Sequence, residues 1–556
     1  MNVVLSSFGG IMPRLAEHKL APNQATMAHD VKLRNGQLEA WREPKLFGEA
    51  VQDARSFHIS GCCLVSWHDR VSVADLSPDW GRFYMVGSDG NLRSVVIDCE
   101  CRPSTTLVGV PVPVTQPVAS ANEQCSREAD ARAYVYTYVN EWGEESAPSP
   151  ASNIVRVDDG SVVSVRINDA VPMGYGIIGR HLYRASTGFR PADGKVQKPL
   201  TEYLFVASIP VEQRTFTDNI KGIYLGAALE TQYDRQPPNP LSGIVSIGDQ
   251  VRLAGFHQNR VYFSEQFQPH NWPAKYDLTL DHNIVNMGCL DQKLFVTTNG
   301  IPYVIDVSSC DDTKCTPVTS LEAPLPDIGC KYAHSGITTP HGFIYSSPVG
   351  LVLLQPDGRW HIVTAKWFGK DEWQKLMPDT VRLTYWEGYL FIVTDMASFL
   401  LNLNGQPYGD MEGAELSTIS DAPIDMLSTP AGGMFFLEDD KVYVWDAGAS
   451  YRPFIWRSRP LTSGPDAAGQ GRLESQNPAR GAYWWPTSVK IGTKMTRFIL
   501  IGSHGNVLHD RSVFSEQPVR LPRAGRHMWY KVELRGTEVV EFLDMGTSNM
   551  SVNQGM

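Results

Sequence analysis

Between residues 243 and 447 one pattern returns five times: an apolar strand, a turn, and a second apolar strand. The first strands are centred on Leu253, Leu294, Phe343, Leu390 and Phe435, at spacings of 41, 49, 47 and 45 residues. Their partners centre on Tyr262, Tyr303, Val352, Leu400 and Tyr443, which lie 9, 9, 9, 10 and 8 residues further on. A near-constant hairpin inside a period of about 45 residues is the spacing of a propeller blade, a four-stranded unit that buries its faces only against neighbouring blades. The connecting segments Thr298–Asn299–Gly300, Pro348–Val349–Gly350 and Glu438–Asp439–Asp440 carry the residue types that tight hairpin loops require. Upstream, Phe83–Val86, Ser88–Asp89–Gly90 and Leu92–Val96 read as one more blade. The competing arrangement is a set of unrelated hairpins in a sandwich.

The stretch from about 128 to 235 interrupts the series. Tyr134–Val139 alternates, Asn140–Glu141–Trp142–Gly143–Glu144–Glu145–Ser146 turns, and strands follow at Val162–Ile167, His181–Arg184, Tyr203–Ser208 and Phe216–Asp218. This predicts an immunoglobulin- or fibronectin-like sandwich inserted between blades. The chain is therefore expected to be mainly β: a propeller-like body, the inserted sandwich and a C-terminal β segment. The divisions are an N-terminal arm over 1–50, a first blade region over 51–127, the sandwich over 128–235 and blades over 236–460. A polar loop and the last β segment, from Tyr483 to about Met545, fill 461–556, the loop over 461–480. Two short helices are expected, over Lys366–Leu376 and Ala21–Leu33.

With 47 glycines and 37 prolines in 556 residues, the composition suits many turns between short strands. The opening Met1–Ser7 has no basic region and no apolar run of leader length, and no run of 18 apolar residues occurs, so neither a secretory leader nor a membrane span is expected. Nine scattered cysteines, an odd number, argue against a secreted disulfide framework and for synthesis in a reducing cytoplasm. The net charge of −11, with no Lys/Arg run, argues against tight binding to phosphates.

No catalytic, cofactor-binding or metal-binding residues are assigned. Motifs of zinc peptidases, serine hydrolases and nucleotide-binding loops do not occur. His334 and His341 read as structural histidines. Cys99–Glu100–Cys101 with Cys125 lacks the second pair a zinc site needs and reads as free buried thiols. Cys310–Cys315 reads as a polar loop between blades. Among 60 acids a glycosidase pair has no spacing signature. Trp272, Trp386 and Trp445 sit in or beside strand pattern and are expected to pack in cores or interfaces.

Some phrases resemble a known family. Phe8–Gly9–Gly10–Ile11–Met12–Pro13–Arg14, Ala21–Pro22–Asn23–Gln24–Ala25 and Leu33–Arg34–Asn35–Gly36 through Trp41–Arg42–Glu43–Pro44 resemble the opening of phage tail nozzle proteins, the tail tubular protein B family of short-tailed phages. Arg260–Glu265, Pro269–His270–Asn271–Trp272–Pro273, Thr298–Tyr303, the run from Cys330 through Val352, Trp456–Arg459, Arg520–Pro522 and Leu534–Gly536 resemble phrases of the same group.

The resemblance implies a structural protein of the virion tail that is not an enzyme and needs no cofactor. It implies a ring of this chain, a homohexamer, below the portal and tail adaptor. Tail fibres or a needle would dock outside, and genome DNA would pass through the lumen without specific binding. Assembly would take place in the host cytoplasm. The N-terminal stretch, Phe8 to Pro44, is expected to gain order only on a neighbouring subunit. The alternative is a virion-borne carbohydrate-binding or depolymerising propeller; a further rival is a cytoplasmic propeller scaffold, which would form no closed ring.

Overall fold

The computed structural model describes residues 2–77, 80–121, 130–186, 200–248, 251–308, 314–317, 327–403, 413–461, 486–514, 518–522, 527 and 529–546. It divides into two compact units. One comprises Met1–Asp69, Val285–Ile305 and Cys315–Met556; the other comprises Arg70–Ile284 and Asp306–Lys314. The protein is mainly β, and its recurring element is a four-stranded antiparallel blade.

In the first unit one blade runs Gly336–Thr339, Gly342–Ser347, Gly350–Leu354 and Trp360–Ile362. The next runs Arg382–Trp386, Tyr389–Val393, Ser398–Asn402 and Glu415–Thr418. A third begins Asp425–Ser428, Met434–Glu438 and Lys441–Val444. Its fourth strand is Lys45–Glu49, from the other end of the chain, with Lys441 opposite Glu49 and Val444 opposite Lys45. The first strands of successive blades lie against each other, and the hairpin Ser56–Ser60 with Cys63–Trp67 continues the series. Faces of neighbouring blades share cores: Phe391 and Leu400 meet Met426, Phe436 and Trp445 around Trp41.

Each of the five anchors of the repeat falls on the second strand of a blade and each partner on the third. That is why the hairpin offset is so regular. It is the central hairpin of the unit, buried on both faces, while outer strands vary in length and exposure.

The second unit holds the blade Ser72–Ala74, Phe83–Val86, Leu92–Ile97, Pro103–Leu107 and the blade Gly243–Ile247, Arg252–His257, Arg260–Phe263, Leu278–Thr279. Their first strands are tied by Ser72, whose hydroxyl donates to Ile244 O at 3.0 Å. Between them in sequence lies the sandwich, a three-stranded sheet (Val118–Ser120, Val163–Arg166, Thr215–Asp218) facing a four-stranded one (Val155–Val157, Asp130–Asn140, Ile177–Ser186, Leu200–Pro210). Tyr134, Tyr136, Tyr138 and Leu182 of one sheet meet Ala119, Val163 and Val165 of the other. Arginines also enter this interior, each on a carboxylate: Arg184 Nη1 stands 2.7 Å from Asp218 Oδ2, and Arg180 Nη2 stands 2.6 Å from Asp169 Oδ1. Tyr134 and Tyr138 donate to the same two aspartates at 2.7 and 2.6 Å. Each buried cation thus faces a carboxylate, which offsets part of the cost of burying charge, although Nε and Nη2 of Arg184 have no hydrogen-bond partner among the described residues.

The N-terminal stretch corrects the expectation that it orders only on a neighbour. Ala25–His29 lies between Glu415–Thr418 and Phe454–Ser458, joining a blade to the C-terminal strands in one nine-stranded sheet. Asn2–Leu5 pairs with Leu543–Gly546 in a second sheet completed by Ser488–Ile491 and Val519–Arg520. The two sheets close on a common core of Leu5, Phe8, Leu38, Trp456, Phe498, Leu534 and Leu543, a terminal sandwich built from both ends of the chain. Gly10 donates its N–H to a Glu415 carboxylate oxygen, and Trp456 Nε1 donates to Gly9 O at 3.0 Å.

Of the two expected helices, one survives as Lys370–Lys375 around buried Trp373. Ala21–Leu33 is instead two strands, Ala25–His29 and Val31–Arg34. Residues 462–480 of the expected loop lie outside the described residues.

Candidate functional site

A polar cleft lies in the second unit, where the tip of the inserted sandwich meets the blades. It has a volume of about 330 Å³ and is lined by Trp80, Arg82, Trp142, Glu144, Asp234 and His270, among others. Local sequence dictates the tip. Asn140 ends the strand Asp130–Asn140, and its Oδ1 accepts the N–H groups of Trp142 and Glu144 at 3.0 and 2.9 Å. Asn140 Nδ2 donates to Glu144 Oε2 at 2.8 Å. Gly143 takes φ +74°, a conformation that costs a side chain steric strain, so the turn can close between Trp142 and Glu144.

The turn delivers Glu144 to Arg82 and His270. Arg82, just before the strand Phe83–Val86, places Nη2 at 2.6 Å from Glu144 Oε1, and His270 Nδ1 stands 3.5 Å from the same oxygen. The Arg82 guanidinium lies 4.5 Å over the Trp142 ring and faces Tyr84 and Trp80 at 5.5 and 5.7 Å. Trp80 Nε1 donates to Tyr84 OH at 2.9 Å. A guanidinium held among aromatic faces and a carboxylate is fixed in both position and charge.

Burial opposes the charge on Glu144, but His270 and Arg82 outweigh it and hold the carboxyl at about 2. Burial likewise opposes charge on Glu145. It is overcome by His181, by Thr137 Oγ1 and by Tyr183 OH, the last donating at 2.7 Å, so this carboxyl too lies below its usual range. Asp234 differs: burial raises its carboxyl, and Asn271 Nδ2 donates to it at 2.8 Å. Two acids of the cleft are thus locked as anions by protein donors. Neither is poised to give up a proton near neutral pH, as a general acid must be. The open side carries Trp142 and Phe267, 41 % and 59 % exposed.

No catalytic or ligand-binding residues were expected from sequence, and this cleft was not foreseen as a site. Its parts were visible separately, as the turn Asn140–Ser146 and the phrase Pro269–Pro273. What was not visible is that Arg82, Glu144 and His270 converge. Trp272 and Trp445 are buried in blade cores, and Trp386 donates to Gly432 O at 2.8 Å. His334 precedes the strand Gly336–Thr339, and His341 sits in the turn after it. The reading of Cys99 and Cys101 as free buried thiols is corrected: Cys99 is an exposed free thiol and Cys101 is disulfide-bonded. Cys125 and Cys310 lie outside the described residues. No described helix is long and apolar enough to cross a membrane.

No protein-family model and no curated protein matches the sequence. Among solved structures the chain is similar to the WD40 β-propeller domain of Doa1, at 8 % identity and a TM-score of 0.29, covering 74 % of this chain and 98 % of that one. It is also similar to the extracellular domain of a one-component system of B. thetaiotaomicron, at 11 % identity and a TM-score of 0.27, covering 72 % of this chain and 47 % of that one.

Proposed function

We propose that this chain is a structural protein of a phage tail, a nozzle ring subunit that shapes the distal DNA-ejection channel and gives fibres or a needle a platform. One observation carries the reading: the polar cleft around Glu144 is used internally. Arg82, Glu144 and His270 join the inserted sandwich to a blade, and Glu144 and Glu145 are held as anions by the groups around them. A stiff, multiply clasped body suits a part that must transmit force and perform no chemistry. The sequence phrases support the same reading, since Pro269 and His270 line this clasp and Phe8 packs in the core of the terminal sandwich. An acidic subunit also favours sliding over sticking of a phosphate backbone.

The alternative, a carbohydrate-binding or depolymerising propeller on the virion, draws on the exposed faces of Trp142 and Phe267 beside Asp234. Electron microscopy and mass measurement of the full chain, alone and with a tail adaptor, separate the two. The expected result is a closed ring of six copies with the adaptor. A species that never closes a ring, and that turns over polysaccharide until one Asp or Glu is changed, would overturn the proposal.

A further inference from the structure

Among the described residues, the terminal sandwich of the first unit is open along one side. Among those residues, the last strand of one sheet is Val507–Val513, paired only through Thr496–Gly502, and that of the other is Val519–Arg520, paired through Ser488–Ile491. Between them lies a groove of about 730 Å³ lined by Thr487, His509, Asp510, Arg511, Arg520, Leu521 and Pro522. Its floor is fixed by backbone bonds, Leu521 N to Thr487 O at 2.7 Å and Thr487 N to Gly546 O at 2.8 Å.

The charges in this groove are unevenly matched. Asp510 is taken up by Arg497, whose Nε and Nη2 donate at 2.8 and 2.7 Å to its two oxygens. Arg511 and Arg520 form no ion pair among the described residues, although both are exposed at the groove. The His509 ring packs against Phe498 with centroids 6.0 Å apart, and its buried Nε2 has no hydrogen-bond partner. Two free guanidinia beside an unpaired strand edge combine two recognition chemistries: oxyanion binding, and a row of backbone donors and acceptors.

We propose that the outer edge of Val507–Val513 docks an extended acidic peptide segment of a partner protein, which adds as a further strand and sets its carboxylates on Arg511 and Arg520. A strand sits about 4.8 Å from its neighbour, and the groove is lined by His509, Asp510 and Arg511 of this edge. Exposed Val507 and Phe514, 60 % and 70 % accessible, offer apolar contact at the two ends of the edge. A nucleic acid would satisfy the arginines but not the backbone ladder. The proposal needs only the terminal sandwich and goes beyond the nozzle reading.

The test uses the full chain with a labelled alternating Glu–Thr octapeptide, an alternating Lys–Thr octapeptide, inorganic phosphate and a short single-stranded DNA. Saturable binding of the acidic peptide alone is expected, with new hydrogen-exchange protection at alternate amides of 507–513. Affinity should fall about tenfold or more in R511Q/R520Q. A second variant, R511E/R520E, should bind the basic peptide instead, and unchanged thermal melts establish that both fold. Binding without protection of 507–513, equal binding of DNA, full competition by phosphate, or no saturable binding would each overturn the proposal.

Discussion

Gly10→Ala isolates the role of the N-terminal stretch, because the backbone angle at this glycine is one that alanine also adopts. The obstacle is space alone. A Cβ at Gly10 would stand 2.7 Å from Leu416 N and closer still to Leu416 O, both backbone atoms of a blade strand. Neither can rotate aside, so the segment must move. Three bonds depend on its position: Ile11 N to Leu416 O at 2.8 Å, Ala25 N to Gly10 O at 3.0 Å, and Gly10 N to the half-buried Glu415 carboxylate. Two neutral bonds at about 1 kcal/mol each, and a carboxylate losing a donor at about 2 kcal/mol, give a loss of about 4 kcal/mol. Urea unfolding followed by tryptophan fluorescence reads the loss. Hydrogen exchange should localise it to 2–5, 25–29 and 543–546. A variant within about 1 kcal/mol of the parent, with those amides equally protected, would refute the reasoning and restore a loosely attached arm.

The remaining expectations concern buried charge. Glu144, held at about 2 against an ordinary 4.5, contributes stability that is present above about 4.5 and is lost as the pH falls toward 2. Glu144→Gln should therefore melt lower than the parent at pH 7 and converge with it in acid; a gap independent of pH would contradict the ion-pair assignment. Asp218→Ala strands Arg184 and Tyr134 inside the sandwich and should cost about 3–5 kcal/mol, read by calorimetry. The double change Asp218→Leu with Arg184→Met should recover much of that loss, and a double variant no better than the single one would refute the account.

How much of this was legible before folding depends on how far apart the partners lie in the chain. The central hairpins of the blades were readable because strand, turn and strand fit within about ten residues, and burial on both faces leaves a dense apolar run. The sandwich strands announced themselves by alternation for the same local reason. Lys45–Glu49 carries no sign that it completes a blade some four hundred residues later; a strand edge accepts any strand of suitable pattern, and only the closed arrangement selects the partner.

Ala21–Leu33 misled for a specific reason. Buried Ala25, Ala28 and Val31 recur every three residues, as on a helix. The spacing instead arises from a bulge between Ala25 and Met27 and from Asp30 at φ +51°, which together break the two-residue period of the strands. The clasp around Glu144 is likewise a tertiary product. The turn that presents the carboxylate is local chemistry, but the side chains that fix its charge come from positions 82 and 270. Sequence determined the strands and their hairpins because their hydrogen bonds close over short loops; the joining of the two chain ends, and the charge state of the cleft, were decided by long-range pairing whose partners share no local pattern.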